Sequence, residues 1–480
     1  MSIKKNIAYN VTLNVLNVLF PVITVPYVSR VLGVENVGLV SFVLTYVSYF
    51  VLFATLGIGY YGVREIARHQ NDRTKSSKIF SELFLINIVS TFVASVVFLL
   101  TVYTVPLLET DRHLLLIAGL SLYLAPLSID WYFQGLENFR IITIRSLIIK
   151  GMSIAGLFVF VRQSDDLIPY ILLNVGSVVV SNMWNVLYAK ANRLTISFRD
   201  LQLKKHIRPV LVLFVSVLAI SIFTMLDTLM LGFMSTYTEV GYYTSCTKVT
   251  RLILPVFTAI GSVLLPRLSF NQQNHDHLAN AMLLQKSFDL TAFFTAPAMI
   301  GLLLIAPRFV PVFFGAEFLG AIIPMQILSA LMIIVALNVF FGIQILIGMD
   351  RENLFLRAVL AAAAVNFFLN IILIPRYGAE GAAIASVCGE SLQLGINLFY
   401  VHKFTVVRIK WTGLIQALAC SAPIVLLFWL TDRLILNGIL FILLFVLFST
   451  LLYIPVQYFG AKNYLLISFC DRIKTKLFKP

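Results

Sequence analysis

The chain has 480 residues, of which 59% are hydrophobic and only 12% are charged. Soluble domains carry about a quarter of charged residues, so this composition excludes a soluble protein and predicts an integral membrane protein. The net charge of +14 is typical of some nucleic-acid-binding proteins, but the positions of the basic residues, described below, argue against nucleic acid as a partner.

The chain starts with MSIKKNIAYNVTLNVLNVLF, a basic start followed by an apolar run, as in a signal peptide. The run continues past this stretch without a small-x-small cleavage site, so we interpret it as a retained first span. A helix needs about 20 apolar residues to cross the hydrocarbon core. Fourteen runs meet this requirement: 7–29, 38–62, 80–105, 114–132, 144–162, 167–189, 209–234, 241–266, 287–306, 321–347, 355–375, 382–402, 412–431 and 437–459.

The loop charges predict the orientation of these spans, because cytoplasmic loops carry an excess of Lys and Arg. With the N-terminus inside, 27 of the 36 basic residues fall in inside loops, six fall outside and three lie within spans. The alternation holds across all fourteen spans and places both termini in the cytoplasm. The basic loops would face anionic lipid headgroups.

Two junctions indicate an internal repeat: RVLGVENVGLVSF (30–42) and LMLGFMSTYTEVGYY (229–243). Each has a Leu-Gly pair leaving one span and a Val-Gly pair entering the next, although two unrelated turns sharing common turn residues would look the same. Repeats six spans apart are parallel and enclose a central cavity on a pseudo-twofold axis. We therefore predict an all-α fold with two six-helix bundles, 1–206 and 207–404, and two extra helices with a basic tail, 405–480.

The predicted eighth span contains two cations, Lys248 and Arg251. A mid-helix cation costs about 2.5–3.5 kcal/mol on insertion scales and normally faces a cavity or a partner. The two residues share a helix face, and Thr244 and Pro255 extend the same stripe. We interpret this stripe as the lining of a cavity that binds an anionic ligand.

A third intramembrane cation, Lys150, lies in the fifth span and either contributes to the same anionic site or extends to the membrane surface. Two acids lie well inside spans, Asp227 and Glu390. Asp227 is a candidate counterion of Lys248 or Arg251, in which case the pair would only make insertion tolerable. The spans contain three cations and two acids, so pairing would leave at least one cation uncompensated. In this alternative interpretation, positive charge remains in the cavity and binds an anionic ligand.

The sequence gives no sign of an enzyme or of a cofactor. It has no Walker motif, and His275 and His277 lack further ligands at metal-binding spacing. The outer loops of about four to fourteen residues are too short for a catalytic domain. The cysteines are far apart and predict neither a disulfide framework nor a metal site: Cys246, Cys388, Cys420 and Cys470.

Four motifs in order resemble the Wzx-type polysaccharide flippases of the multidrug/oligosaccharidyl-lipid/polysaccharide exporter superfamily. They are YVSRVLGVENVGLVSF (27–42), DTLMLGFMSTYTEVGYYT (227–244), APRFVPVFFGAEFLGA (306–321) and IPRYGAEGAAIASV (374–387). The resemblance runs over most of the chain. It implies a transporter of the bacterial cytoplasmic membrane that moves oligosaccharides linked to undecaprenyl diphosphate from the inner to the outer leaflet by alternating access, for cell-surface polysaccharide synthesis.

On this resemblance Lys248 and Arg251, with Lys150, would hold the diphosphate. Arg30 would be either a gate or exit residue or only a turn residue. Asp227 and Glu390 would be the candidates for coupling to a proton or sodium gradient. Amide side chains inside the spans, Asn87 and Asn338 among them, would either join helices or meet sugar hydroxyls. The polysaccharide polymerase machinery is a further candidate partner.

Other functions remain open at this point. Teichoic-acid and peptidoglycan precursors are alternative substrates within the flippases. A multidrug cation antiporter of the same superfamily is less favoured, because the first span has no acid and the predicted cavity is cationic. A membrane polymerase or ligase acting on the same glycans is the alternative of another class, and it would need a large outer loop.

Overall fold

The computed structural model describes residues 3–191, 194, 196, 201–251, 277–405, 407–434, 437–461, 463–464 and 466–467. Every regular element within these ranges is helical, which confirms the all-α prediction for this part of the chain. The predicted eighth span is described only as far as Arg251. Pro255, His275 and Cys470 lie outside the described residues, as does the side chain of His277.

Sixteen α-helices follow one another along the described chain: α1 (Ile3–Thr55), α2 (Ile58–Arg68), α3 (Arg73–Thr104), α4 (Arg112–Ala118), α5 (Leu120–Tyr123), α6 (Asp130–Gly135), α7 (Phe139–Phe160), α8 (Leu167–Ala191), α9 (Lys204–Met234), α10 (Tyr237–Arg251), α11 (His277–Phe313), α12 (Ile322–Ser329), α13 (Leu331–Asn338), α14 (Glu352–Phe404), α15 (Thr412–Leu434) and α16 (Gly438–Pro455). Short 3₁₀ turns lie at Pro106–Leu108, Ala125–Leu127, Ala316–Ala321 and Ile347–Met349. Two π-helical turns lie at Val339–Leu346 and Val456–Gly460.

Ten helical segments among the described residues are long and apolar enough to cross a membrane, so the chain is a multi-pass membrane protein. Two helices, α1 and α14, have 53 residues each. At 1.5 Å per residue each would measure about 80 Å, whereas the hydrocarbon core is about 30 Å thick. Each of them is therefore long enough for two crossings, and the total of fourteen spans stays a prediction.

Both long helices bend at a glycine. Gly33 has φ 77° and ψ 171°, and Gly378 has φ 50° and ψ −126°. Positive φ is accessible to glycine at no steric cost and is unfavourable for other residues, so these two positions fix where each helix changes direction. Gly33 belongs to the Leu-Gly pair of the first junction that the sequence identified.

The described chain divides into two compact units, residues 1–241 and 242–480. The first unit has a buried cluster in which the amphipathic helix α2 packs on α3, α6 and α9. Tyr61 and Ile66 of α2 are buried, whereas Tyr60 and Arg64 of the same helix are exposed. Trp131 of α6 stacks on Phe80 of α3 with ring centroids 5.5 Å apart.

The two glycine junctions contact each other inside the first unit. A Cβ atom on Gly38 would collide with the carbonyl oxygen of Tyr237, and a Cβ atom on Gly241 would collide with the carbonyl oxygen of Val34. The backbones of α1 and α10 therefore approach each other closely at these two glycines. Small residues allow this kind of approach between membrane helices.

The second unit is organised around aromatic packing of α11 on the π-helical turn Val339–Leu346. Phe288 lies 5.4 Å from Phe340 and 5.3 Å from Trp411, measured between ring centroids. The π-helical turn begins directly after Asn338, a buried amide described below. Irregular turns of this kind inside membrane helices are frequent at functional positions.

Candidate functional site

Helix α10 places Lys248 and Arg251 in its last four residues, with both side chains exposed. Their spacing puts them on the same face of this helix. Lys248 forms no ion pair with any residue that the structure describes. Thr244, one turn earlier, is only 6% exposed. The prediction that Thr244 belongs to the same open stripe is therefore wrong, because its side chain is covered by packing and the exposed polar face begins at Lys248.

The other two predicted cations lie in the first unit. Lys150 is half-buried on α7, and its Nζ lies 5.5 Å from the centre of the Phe20 ring. A cation at this distance over an aromatic face is stabilised electrostatically, which offsets part of the cost of its position. Arg30 is exposed on α1, three residues before the bend at Gly33.

The two predicted acids have different surroundings. Asp227 is 4% exposed on α9 in the first unit, whereas Lys248 and Arg251 belong to the second unit, so their pairing stays a prediction. Glu390 is half-buried on α14, and its Oε2 accepts a hydrogen bond of 2.7 Å from Nδ2 of Asn338. The same amide nitrogen donates to the carbonyl oxygen of Glu390, so Asn338 joins two helices of the second unit.

The first unit contains a cavity of about 580 Å³ with a mixed polar and apolar lining, whose wall is formed by the end of α1 and by α2, α3, α6 and α9. Part of this wall lies where the predicted fourth span is interrupted, since α4 and α5 are followed by a 3₁₀ turn at Pro126 and then by α6. Proline removes a backbone donor and clashes with the preceding turn. The interruption turns Ser128, Asp130 and Gln134 toward the cavity.

The carboxylate of Asp130 accepts hydrogen bonds from two side chains that do not line the cavity, those of Arg145 and Asn185. The guanidinium of Arg145 donates from Nη1 to Oδ1 at 2.7 Å and from Nη2 to Oδ2 at 3.2 Å. Asn185 donates from Nδ2 to Oδ1 at 2.6 Å. The side chain of Arg145 is 5% exposed and that of Asp130 is 35% exposed. This is a two-point ion pair between α6 and α7, open to the cavity on the carboxylate side.

A second buried ionic group joins three helices of the first unit. Glu82 of α3 is fully buried, and its Oε2 lies 2.7 Å from Nε2 of His206. Its Oε1 accepts from the backbone N–H of Gln202 at 2.8 Å. The other ring nitrogen of His206 lies 2.8 Å from the hydroxyl of Tyr61. The group is satisfied on both sides and fixes α2, α3 and the start of α9 together.

The sequence analysis missed both of these groups. It placed Arg145 with the inside loop and Asp130 at the end of a span, so neither counted as an intramembrane charge. One signal was present in the sequence: Asp130 and Arg145 each lie within two residues of a predicted span boundary, at 132 and 144. Boundaries read from hydropathy are uncertain by a few residues, so charges at such positions are candidates for burial.

Among the described residues, three arrangements are suited to polar ligands. An exposed cation pair on α10 suits an anion. The cavity in the first unit offers hydroxyl, amide and carboxylate groups, which suit hydrogen-bonding ligands. The Glu390–Asn338 contact in the second unit places a candidate coupling carboxylate in a polar network, with the amide of Asn338 as its hydrogen-bond donor.

The chain is similar to known proteins in both sequence and fold. The family model described as "Polysaccharide biosynthesis protein" matches residues 3–272, more than half of the chain. The relative named "Putative O-antigen transporter" from Escherichia coli (strain K12) is 24% identical over 417 residues, which cover 84% of this chain and 97% of that protein.

Two solved structures share the fold. "Lipid II flippase MurJ, inward closed conformation" matches with a TM-score of 0.77 at 16% identity and covers 96% of this chain and 100% of that chain. "Inward-facing conformation of a multidrug resistance MATE family transporter of the MOP superfamily" matches with a TM-score of 0.62 at 14% identity, over 80% and 94% of the two chains. The resemblance to the flippases of this superfamily is thus confirmed, and the chain belongs to the polysaccharide biosynthesis protein family.

Proposed function

We propose that this protein is a flippase that moves an oligosaccharide linked to undecaprenyl diphosphate from the inner to the outer leaflet by alternating access. The observation that carries the proposal is the exposed pair Lys248 and Arg251 on one face of α10. In a chain with only 12% charged residues, the charge of Lys248 inside a predicted span needs a compensating partner, since no described residue forms an ion pair with it. A diphosphate provides one, because ammonium and guanidinium groups donate charge-assisted hydrogen bonds to phosphate oxygens.

The comparisons support a glycan-linked substrate. The relative from Escherichia coli that is 24% identical to this chain is named an O-antigen transporter. The likeness to a lipid II flippase and to a multidrug transporter concerns the fold alone, at 16% and 14% identity. Peptidoglycan and teichoic-acid precursors are therefore kept as comparison substrates, and a cationic drug is disfavoured by the exposed cations.

A lipid-linked substrate also needs an apolar surface for its chain. The second unit has an apolar cleft of about 440 Å³, lined by side chains that include Phe293, Pro297, Phe445 and Tyr453. An isoprenoid chain that stays beside the protein while the head group crosses would find such a surface favourable, since close van der Waals packing stabilises contacts within a membrane.

Cellular location and topology are part of the same proposal. We place the protein in the bacterial cytoplasmic membrane with both termini in the cytoplasm, because the predicted inside loops hold 27 of the 36 basic residues. Anionic lipids would lie against these loops. The polymerase machinery that extends the exported glycan is a candidate partner, and a proton or sodium gradient is a candidate driving force.

The test is translocation of a fluorescent undecaprenyl-diphosphate oligosaccharide in proteoliposomes. Lys248→Ala and Arg251→Ala should each lower the initial rate by about tenfold or more, since charged hydrogen bonds contribute roughly 1.5–3 kcal/mol each. Lys286→Ala is the matched control, because Lys286 is an exposed lysine of the same unit. Normal rates in both cation variants, with a normal control, would remove the diphosphate assignment.

Ion coupling is tested with the same vesicles under imposed proton or sodium gradients. If Glu390 is the coupling acid, Glu390→Gln should abolish the acceleration by the gradient and leave the slow gradient-free rate intact. Asp227→Asn makes the corresponding test for the second candidate acid. Acceleration that survives in both variants would exclude both carboxylates as coupling residues.

A further inference from the structure

Polar side chains that project into the cavity of the first unit retain hydrogen-bonding capacity. Tyr60 is 70% exposed, and the side chain of Gln134 is also exposed. Neither of these side chains, nor that of Ser128, makes a hydrogen bond to any residue that the structure describes. Asn87 accepts one long hydrogen bond, of 3.4 Å, from Thr91. Hydroxyl and amide groups of three different chain segments therefore line one cavity.

Asp130 adds an acceptor whose position is fixed. An ionised carboxylate has about four lone-pair sites, and three of them accept hydrogen bonds from Arg145 and Asn185. The remaining capacity faces the cavity, where 35% of the side chain is exposed. Because Arg145 cannot rotate away without losing both of its bonds, the carboxylate is oriented before any ligand arrives, which lowers the cost of binding.

The charge of this wall distinguishes between the parts of the proposed substrate. A diphosphate offers only acceptor oxygens, so it has no hydrogen to donate to the carboxylate of Asp130. A sugar hydroxyl is a donor and is neutral, so it matches a carboxylate whose charge is already balanced by Arg145. The only cation that lines the cavity in the described part of the chain is Arg64, whose Nε lies 3.8 Å from the Glu65 carboxylate.

We infer that this cavity binds the sugar portion of the transported lipid, and that Asp130, Gln134 and Tyr60 contact its hydroxyl groups. The inference rests on the proposed flippase function and adds a site for the neutral part of the head group, separate in residues from the cation pair on α10. The cavity volume of about 580 Å³ lies within the range of about 300–1,000 Å³ for small-molecule sites, so it takes a short oligosaccharide.

The test compares two probes that differ only in the sugar. The full-length protein in lipid nanodiscs is titrated with undecaprenyl diphosphate, and separately with undecaprenyl diphosphate that carries a neutral trisaccharide of hexose and N-acetylhexosamine. The variants are Gln134→Ala and the double variant Gln134→Ala/Tyr60→Ala. Both residues are exposed, so the fold does not depend on burying them. Gln163→Ala, an exposed glutamine of the same unit outside the cavity, is the matched control.

The wild type should bind the glycosylated probe more tightly than the bare lipid diphosphate. Gln134→Ala should weaken binding of the glycosylated probe about three- to tenfold, the effect of one lost hydrogen bond, and the double variant should weaken it further. Binding of the bare lipid diphosphate should stay within twofold in all variants.

Each other outcome overturns the inference in a recognisable way. Equal weakening of both probes would assign these residues to the shared lipid diphosphate. Unchanged binding of the glycosylated probe in the double variant, with translocation intact, would remove the sugar site and leave the flippase function standing. A wild type that binds neither probe would remove the proposed function and the sugar site together.

Discussion

Replacing Asp130 by asparagine tests whether the buried Arg145 depends on its carboxylate partner. The substitution keeps the size of the side chain and removes its charge. Arg145 then stays 5% exposed without a counterion. Its hydrogen-bond acceptors would be the amide oxygen of the new side chain at position 130 and the backbone carbonyl of Ser181, at 3.4 Å. Its Nε already lacks a hydrogen-bond partner, so the guanidinium has little else to compensate for the loss.

The size of the effect follows from burial. Breaking a buried ion pair costs about 3–5 kcal/mol when the remaining charge is fully enclosed. Asp130 is 35% exposed to the cavity, so water can partly solvate the site, and the new amide can still accept one hydrogen bond. We therefore expect Asp130→Asn to lower the free energy of unfolding by about 2–3 kcal/mol.

The assay is equilibrium unfolding in mixed micelles with an increasing fraction of denaturing detergent, followed by far-UV circular dichroism. A double-mutant cycle with Arg145→Met isolates the pair. The double variant should be more stable than the sum of the single effects predicts, by about 1.5 kcal/mol or more, because it leaves no uncompensated charge. Glu109→Gln is the control, since Glu109 is 72% exposed in a weak pair with Arg112 and should change stability by under about 0.5 kcal/mol.

An Asp130→Asn variant as stable as Glu109→Gln would refute this reasoning. So would strictly additive effects in the cycle. Either result would mean that Arg145 is solvated by water in the cavity and that the carboxylate is not held in place by it. The sugar site would then lose its fixed acceptor.

Three further predictions concern other parts of the fold. His206→Ala should destabilise the first unit by about 2 kcal/mol, because the buried Glu82 carboxylate loses a partner at 2.7 Å; an unchanged unfolding curve in mixed micelles would contradict this. Gly38→Ala should lower the free energy of unfolding by about 1–3 kcal/mol, because the added methyl group would collide with Tyr237. Gly151→Ala should leave the free energy of unfolding unchanged or raise it in the same assay, since no atom lies within 4 Å of a Cβ atom placed there. Hydrogen bonds from the backbone N–H groups of Arg162 and Gln163 hold the pKa of Asp166 below its usual value. The stabilisation by the Asp166 carboxylate is therefore present above the unfolded-state pKa and is lost as pH falls through the folded-state pKa. The difference in unfolding free energy between wild type and Asp166→Ala should shrink in acid, and a difference independent of pH would contradict this prediction.

Much of the helical architecture could be predicted from the sequence. Spans appear in hydropathy because each must present an apolar surface along its whole length, and ten such segments are present in the described chain. The bend at Gly33 coincides with the Leu-Gly pair of the first junction, since a change of direction with positive φ requires glycine. The cation pair on α10 was visible because the apolar run 241–266 contains no other charged residue.

The polar site of the first unit was not predictable in the same way. Hydropathy treats 114–132 as one apolar run, although Pro126 interrupts the helix there. Arg145 and Asp130 are fifteen residues apart, and each looks like a loop charge until the other is placed beside it. Periodicity and loop charge detect a residue's average environment. They do not detect a specific pair whose members compensate each other across two helices.

Two cations of the chain, Arg145 and Lys248, differ in how their charges are compensated. Arg145 is buried together with a carboxylate that accepts two of its hydrogen bonds, so its charge is balanced within the protein and its position needs no ligand. Lys248 is exposed and has no ion-pair partner among the described residues. A cation that forms an ion pair within the protein can stabilise the fold. A cation inside a membrane without such a pair is energetically unfavourable unless a bound ligand compensates its charge. We therefore propose that Arg145 supports the sugar site from outside its lining and that Lys248 lies at the site for the diphosphate.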